Sequence, residues 1–348
     1  MHFTVIGAGA IGGTVGAHLA RAGHDVLLVD SVEEHVNAIE RSGLAIEGSR
    51  AFRVRVPAVT PAGLVDALNG RPPHAILLSV KAMHTAPALE PVVPLLGPDS
   101  FVVSMQNGLN EKVIAGRIGP ERTVGAFINF GADYLAPGRI LFGGAGALYL
   151  GELDGRITPR VEALGANLRE AFLDNTTLTE NIWGYLWGKL GYASMLFATA
   201  VVDETMADVL ADATCRTLLA NLAGEIVAVA DAEGVRSEGF DDYDPDAVRF
   251  ASPRDWERIT LSLNRMAERN RHSLKKKSGI WRDLVVRRRR TEVDVQIGLV
   301  VEAARGHGLA APLNDRLVAM IHDLEDGRRA MDRANLDELR RLDRELYG

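Results

Sequence analysis

The sequence predicts an α/β Rossmann-type N-terminal domain followed by an all-α C-terminal domain. Three observations predict it. A glycine-rich turn stands between a short apolar run and a helical pattern within the first thirty residues, short apolar runs alternate with helical stretches up to about residue 178, and from Asn181 onward only long helical segments remain. The length of 348 residues also exceeds what one core ordinarily organises. The expected division is a dinucleotide-binding domain over 1–178, a helical substrate and dimerisation domain over 179–327, and a C-terminal helical tail over 328–348.

The first element is a buried parallel strand over 3–6. It leads into Gly7-Ala8-Gly9-Ala10-Ile11-Gly12. In such a turn Gly7 permits the sharp exit from the strand, Gly9 lets a pyrophosphate approach the backbone, and Gly12 lets the following helix lie close to the sheet. That helix begins near Ala10 and is ended by Gly23-His24, and its N-terminus offers amides and a positive dipole end to an anion. A second strand over 25–29 is closed by Asp30, whose carboxylate suits the ribose hydroxyls of an adenosine and repels a 2′-phosphate. NAD(H) is therefore expected over NADP(H). A helix continues over 36–42, two short antiparallel strands are expected within 44–59, and strands follow over 75–80, 100–104, 124–132 and 139–151, then a helix over 158–172. Residues just past strand ends, among them Lys81 and Gln106-Asn107-Gly108, are placed by topology near the ligand. In the second domain helices are expected over 183–202, 211–233, 255–271, 291–305 and 312–325. Leu336, Leu339, Leu342 and Leu346 form an apolar stripe that suits a docked terminal helix or a dimer contact.

Composition sets bounds on function. A net charge of -7 gives no electrostatic reason for nucleic acid or an anionic membrane, and the basic clusters Lys275 to Lys277 and Arg287 to Arg290 read as solvated helix faces or local anion contacts. Cys215 is the single cysteine and reads as a small core residue, so neither an intrachain disulfide nor a thiolate metal site is expected, nor any other metal. No apolar run is expected to reach membrane-spanning length, and a cytoplasmic enzyme is the expectation.

Lys189 stands out chemically. It lies in Trp183-Gly184-Tyr185-Leu186-Trp187-Gly188-Lys189-Leu190-Gly191-Tyr192, a stretch with no other charge, and lysine is seldom buried unless paired or employed. An ammonium there can bind a carbonyl oxygen, stabilise charge as hydride arrives at carbon, and supply the proton. Taken alone it also reads as a lysine snorkelling from a core helix. Glu292, at the expected start of the 291–305 helix, is the natural carboxylate partner, and alone reads as first-turn electrostatics.

The glycine turn, Val80-Lys81, Gln106-Asn107-Gly108, Trp187-Gly188-Lys189-Leu190, Arg290-Thr291-Glu292-Val293-Asp294 and the closing segment from Ala304 to Asn314 occur in an order that resembles the ketopantoate reductase family. The likeness runs from residue 1 to about 326. It implies that Lys189 is the general acid and that Glu292 is the acidic residue of the substrate site. Lys81 and Asn107 would contact the cofactor, with Asn107 near the nicotinamide. A cleft that closes on a small carbonyl substrate is implied as well, together with a homodimer.

The chain also departs from that family. Asparagines stand four and eight residues after the family's lysine, whereas here those positions are Ala193 and Phe197. Positions four apart share a helix face, so an apolar strip replaces two amides. A polar substrate would lose about 1–3 kcal/mol for each buried hydrogen bond left unmade. Ketopantoate is therefore not the expected substrate. Ser278 or Gly279 falls where the family places a pocket serine, and Asp30-Ser31 stands where NADP-using members carry an arginine. Two other readings fit the same sequence: reductive condensation of a 2-oxo acid with an amine, as in opine-type enzymes, and a catalytically silent NAD(P)-binding regulatory protein.

Overall fold

A computed structural model of the chain describes residues 1–251, 253–273 and 275–348. They form two compact units, Met1–Ile182 and Trp183–Gly348.

The first unit is built on one ten-stranded mixed sheet. Its strands are β1 His2–Ile6, β2 Asp25–Val29, β3 Leu44–Gly48, β4 Phe52–Val54, β5 Ala58–Val59, β6 Ala75–Leu78, β7 Phe101–Ser104, β8 Thr123–Ala136, β9 Arg139–Glu152 and β10 Thr177–Leu178, in the order β4-β3-β9-β8-β7-β6-β1-β2-β5 with β10 beside β9. The central strands β1, β2, β6 and β7 are parallel, mostly apolar and covered on both faces. Alternate residues feed two separate cores: Phe3, Val5, Leu77 and Val103 pack on one side, Ile6, Ile76, Leu78 and Val102 on the other. Register decides what this sheet can do. Ile6 pairs with Val29 and with Leu78, and Leu78 pairs with Ser104, so four strands end on one line. Gly7, Asp30, Ser79 to Lys81 and Met105 to Asn107 all leave the sheet along that edge. Helices α1 Ala10–Arg21 and α2 Glu33–Ser42 follow the first two of these exits.

The region after Gly43 differs from the expected single hairpin. β3 and β4 are antiparallel, but residues 58–59 form a third strand that pairs parallel with β2. Pro57 explains the switch, because its carbonyl accepts from Leu28 N–H and carries the chain across to the β2 edge. β8 and β9 extend into a hairpin of 14 residues a strand, longer than the apolar runs suggested, with register shifts between Asn129 and Ala136.

The second unit is helical. Ile182–Thr199 carries the candidate lysine. The expected 211–233 helix is broken: Met206–Ala211 ends, and Arg216–Ala232 starts after a 3-10 turn. Asp212 makes the break, since its carboxylate accepts from the amide and hydroxyl of Thr214. The segment Ala213–Ala232 is long and apolar enough to cross a membrane, contrary to expectation, and 72% of that window is buried within the protein. It is a core helix, with Asn221 and Glu225 among its buried residues. The helix expected over 291–305 begins only at Val293 and passes through a π-turn, Asp294–Gly298, before Leu299–Gly306.

The tail is integral to this unit. Helix Arg333–Tyr347 buries Leu336 and Leu339, pairs Arg333 with Glu204 and Asp212, and donates from the Tyr347 hydroxyl to Glu225 at 2.8 Å. Leu346 stays exposed. Four members of the basic clusters form ion pairs: Lys277 with Asp203, Arg287 and Arg289 with Asp283, Arg290 with Glu325 and Asp326.

Candidate active site

The glycine turn has the three-part geometry that a pyrophosphate needs. Gly7 sits at φ +92°, and a Cβ there would lie 2.8 Å from Val80 N and 2.9 Å from Ser79 C. Both the turn and its contact with the β6 exit therefore require glycine. A Cβ on Gly12 would meet Gly7 O at 2.2 Å and Val5 Cγ1 at 2.8 Å, so this residue sets how closely α1 approaches the sheet. Gly9 is the opposite case, because nothing lies within 4 Å of its Cβ position. It is also the N-cap of α1 and brings no side-chain acceptor to the first-turn amides. Ala10 begins the helix and takes the Thr14 hydroxyl on its carbonyl at 2.6 Å, while Ile11 packs against the core. Open space beside an uncapped helix N-terminus fits a pyrophosphate.

Asp30 lies just past β2. One carboxylate oxygen accepts from Val32 N–H at 3.0 Å, which fixes the side chain at the strand end. Its charge reaches Tyr134, whose phenol is pushed up first by burial and then by Asp30 and Glu34. Glu33 and Glu34 open α2, so this corner is acidic.

Lys81 and Asn107 leave neighbouring strands, and a hydrogen-bond network joins their segments. Gln106 Nε2 donates to Val80 O and to Thr85 Oγ1, each at 2.8 Å. Asn110 Nδ2 donates to Asn107 O at 2.6 Å, and the amide oxygen of Asn110 lies 3.0 Å from the Thr85 hydroxyl. The chain before Lys81 and the backbone of Asn107 are thus held by one buried cluster next to Gly7. Sequence reasoning took Gln106 only as part of a motif and missed Thr85 and Asn110. The uncharged polar residues Gln106, Asn107 and Asn110 just after a core strand were the available signal.

In the second unit Lys189 is half-buried, and its helix is pinned along its length. Glu238 N–H donates to Gly184 O at 2.9 Å. A Cβ on Gly188 would meet Glu238 O at 2.1 Å, and one on Gly191 would meet the Tyr243 hydroxyl at 2.2 Å. Two turns of helix around the lysine are therefore in direct contact with the 238–243 segment. Further on, Ser194 donates to Asn314 Oδ1 at 2.6 Å, and Asn314 N–H and Nδ2 donate to Glu225. Burial pushes the Glu225 carboxyl up, against the donors that surround it. Ala193 and Phe197 follow Lys189 at the expected spacing and are 8% and 0% exposed.

Glu292 precedes the helix, where an N-terminal first-turn residue was expected, and is 7% exposed. Thr291 Oγ1 accepts from Val293 N–H and starts the helix in its place. Glu325, missed in the sequence, holds this entry: its Oε1 accepts from Thr291 N–H and Oγ1, each at 2.7 Å, and its Oε2 pairs with Arg290. The π-turn that follows is a feature often found at functional sites. Ser278 is buried and caps Gly279–Val285, accepting from Trp281 N–H at 3.1 Å.

A parallel sheet whose first strand enters a glycine turn and an uncapped helix, with an acid closing the next strand, defines a dinucleotide-binding protein of the Rossmann type. Two family models refine this: "Ketopantoate reductase PanE/ApbA" matches residues 3–155 and its C-terminal counterpart matches 181–325. A 2-dehydropantoate 2-reductase from Mesorhizobium japonicum is 31% identical, covering 68% of this chain and 78% of that protein. One from Pyrococcus horikoshii is 29% identical over 92% of this chain and 96% of its own. Among solved structures, a ketopantoate reductase family protein from Ralstonia eutropha is 26% identical with a TM-score of 0.76, covering 94% of this chain and 99% of that one. A D-mandelate dehydrogenase in complex with NADH shares the fold with a TM-score of 0.79 at 23% identity, covering 94% and 100%. The chain belongs to the ketopantoate reductase family. It is a nicotinamide-dependent oxidoreductase acting on a C=O/CH–OH pair of a small-molecule substrate.

Proposed function

We propose that this enzyme reduces the carbonyl of a small 2-oxo acid or related ketone, with Lys189 as general acid, and prefers a substituent less polar than that of ketopantoate. A bound nicotinamide supplies hydride to the carbonyl carbon. Lys189 hydrogen-bonds the carbonyl oxygen, stabilises the charge that develops there and delivers the proton. Glu292 orients the substrate or the lysine, and Ser278 closes the pocket at its capped helix end. Gly7, Ala8, Gly9, Ala10, Ile11 and Gly12 receive the pyrophosphate, Asp30 takes the adenosine ribose, and Lys81 and Asn107 hold the nicotinamide half.

One observation carries this reading: Lys189 is the sole charged residue on a helix that the 238–243 segment clamps on both sides of it. The substrate preference rests on Ala193 and Phe197, which present no amide along that helix face. The acidic corner formed by Asp30, Glu33 and Glu34 supports NAD(H) over NADP(H). The homodimer implied by the family resemblance is part of the reading and is checked by the mass in solution.

A panel of 2-oxo acids graded from polar to apolar, ketopantoate included, assayed with NADH and NADPH side by side, tests the proposal. The expected optimum is an apolar 2-oxo acid with NADH. Highest kcat/KM for ketopantoate with NADPH would overturn both specificity claims.

A further inference from the structure

His35 has no part in the chemistry above, yet it is fully buried and bonded through both ring nitrogens. Gly138 N–H donates to Nδ1 at 2.9 Å. A backbone amide can only donate, so Nδ1 carries a lone pair and the ring proton is on Nε2. That Nε2–H donates to the carbonyl oxygen of Ala8 at 2.9 Å. The Tyr134 ring packs edge-on against the imidazole, with centroids 5.1 Å apart. One side chain thus joins α2, the tip of the β8–β9 hairpin and the second residue of the glycine turn.

The consequence lies in the peptide unit that Ala8 shares with Gly9. Its C=O and the N–H of Gly9 lie in one plane and point in opposite directions. Holding the Ala8 oxygen on His35 therefore directs the Gly9 N–H away from the imidazole, and the Cβ position of Gly9 faces open space. Glycine at this position gives the backbone freedom that an unrestrained turn would spend on other orientations. We propose that His35 is a positioning residue of the dinucleotide site, which fixes the Ala8–Gly9 peptide with its N–H toward the pyrophosphate. The proposal rests on the reading of the glycine turn as the pyrophosphate site.

Two substitutions separate the two bonds. His35→Asn keeps an oxygen near Nδ1 but is too short to reach Ala8. His35→Gln places an amide nitrogen near Nε2 and gives up the acceptor for Gly138. With NADH as probe, fluorescence titration of the full-length enzyme should show His35→Asn binding about tenfold more weakly. The KM for NADH should rise in step, kcat at saturating NADH should stay unchanged, and His35→Gln should recover most of the affinity. Wild-type affinity in His35→Asn overturns the proposal. So does equal weakening in both variants, which would assign the effect to loss of the packed imidazole ring rather than to the Ala8 bond, or a fall in kcat and melting temperature at constant affinity, which marks a purely structural role. Gly9→Asp places a carboxylate in the open space beside the turn. If it weakens NADH binding while His35→Asn does not, His35 alone is excluded. If Gly9→Asp also leaves the affinity unchanged, the glycine turn is not the pyrophosphate site and the proposal falls with that reading.

Discussion

Gly12 in the first unit and Gly188 in the second meet the same demand, since each would bring a Cβ to just over 2 Å from a backbone oxygen. What they achieve differs. Around Gly12 the close packing of helix on strand leaves Gly9 facing open space, so that in the proposed function the backbone itself is the binding surface. Around Gly188 and Gly191 the space is filled by Glu238 and Tyr243, and the effect is to fix the helix that carries Lys189. In the proposed function the first unit would thus work through main-chain groups and the second through a few side chains. Tolerance to substitution should follow that division.

Apart from the loss of Lys189 itself, the largest expected effect tests the side-chain half. Glu292→Gln should lower kcat/KM about 100-fold or more while NADH affinity stays within about twofold, measured by steady-state kinetics and titration. A drop confined to cofactor affinity would move Glu292 out of the chemical site. Next comes the packing contrast. Gly12→Ala and Gly188→Ala should each cost about 1–3 kcal/mol in denaturant unfolding, whereas Gly9→Ala should stay within about 0.5 kcal/mol. Equal costs at positions 9 and 12 would remove the distinction between an open and a packed glycine.

A smaller effect concerns the acidic corner. Asp30→Ser should raise kcat/KM for NADPH relative to NADH by about tenfold, since it removes the charge that faces a 2′-phosphate. No change in the ratio would show that Asp30 does not contact the ribose.

The smallest effect lies at the tail. Burial alone would raise the Asp212 carboxyl, but hydrogen bonds from Thr214 and Arg333 prevail and bring it from 3.8 to about 2. The folded state resists protonation there, so the stabilisation is complete above pH 3.8 and is lost as pH falls towards 2. Asp212→Asn should flatten that part of the stability–pH curve, and an unchanged slope would contradict the ion pair's contribution.

The same division explains what could be read from the sequence. Gly7 and Gly12 were legible because a positive φ at the first and close approaches at both leave their mark in residue type, and Gly9 through its place between them in the motif. The strand ends at Ile6, Val29 and Ser104 followed from short apolar runs, whereas β6 stops at Leu78, two residues before the apolar run does. Lys189 was legible because charge is conspicuous in an apolar stretch. His35 and Glu325 were not, because a buried histidine or glutamate bonded to distant main chain looks like any polar residue on a helix. The break at Asp212 and the π-turn after Glu292 escaped for a related reason: apolar periodicity continues through both, while local side-chain hydrogen bonds redirect the backbone. The 58–59 strand was hidden because its partner, β2, lies 30 residues earlier in the register.

The central claim is that the first unit binds the cofactor and Lys189 performs the chemistry. It is tested most directly by measuring NADH affinity and turnover together in Lys189→Ala. The account predicts turnover reduced by about 100-fold to 10,000-fold with an NADH dissociation constant within about twofold of the parent enzyme. Turnover near that of the parent, or cofactor binding lost along with activity, would contradict it.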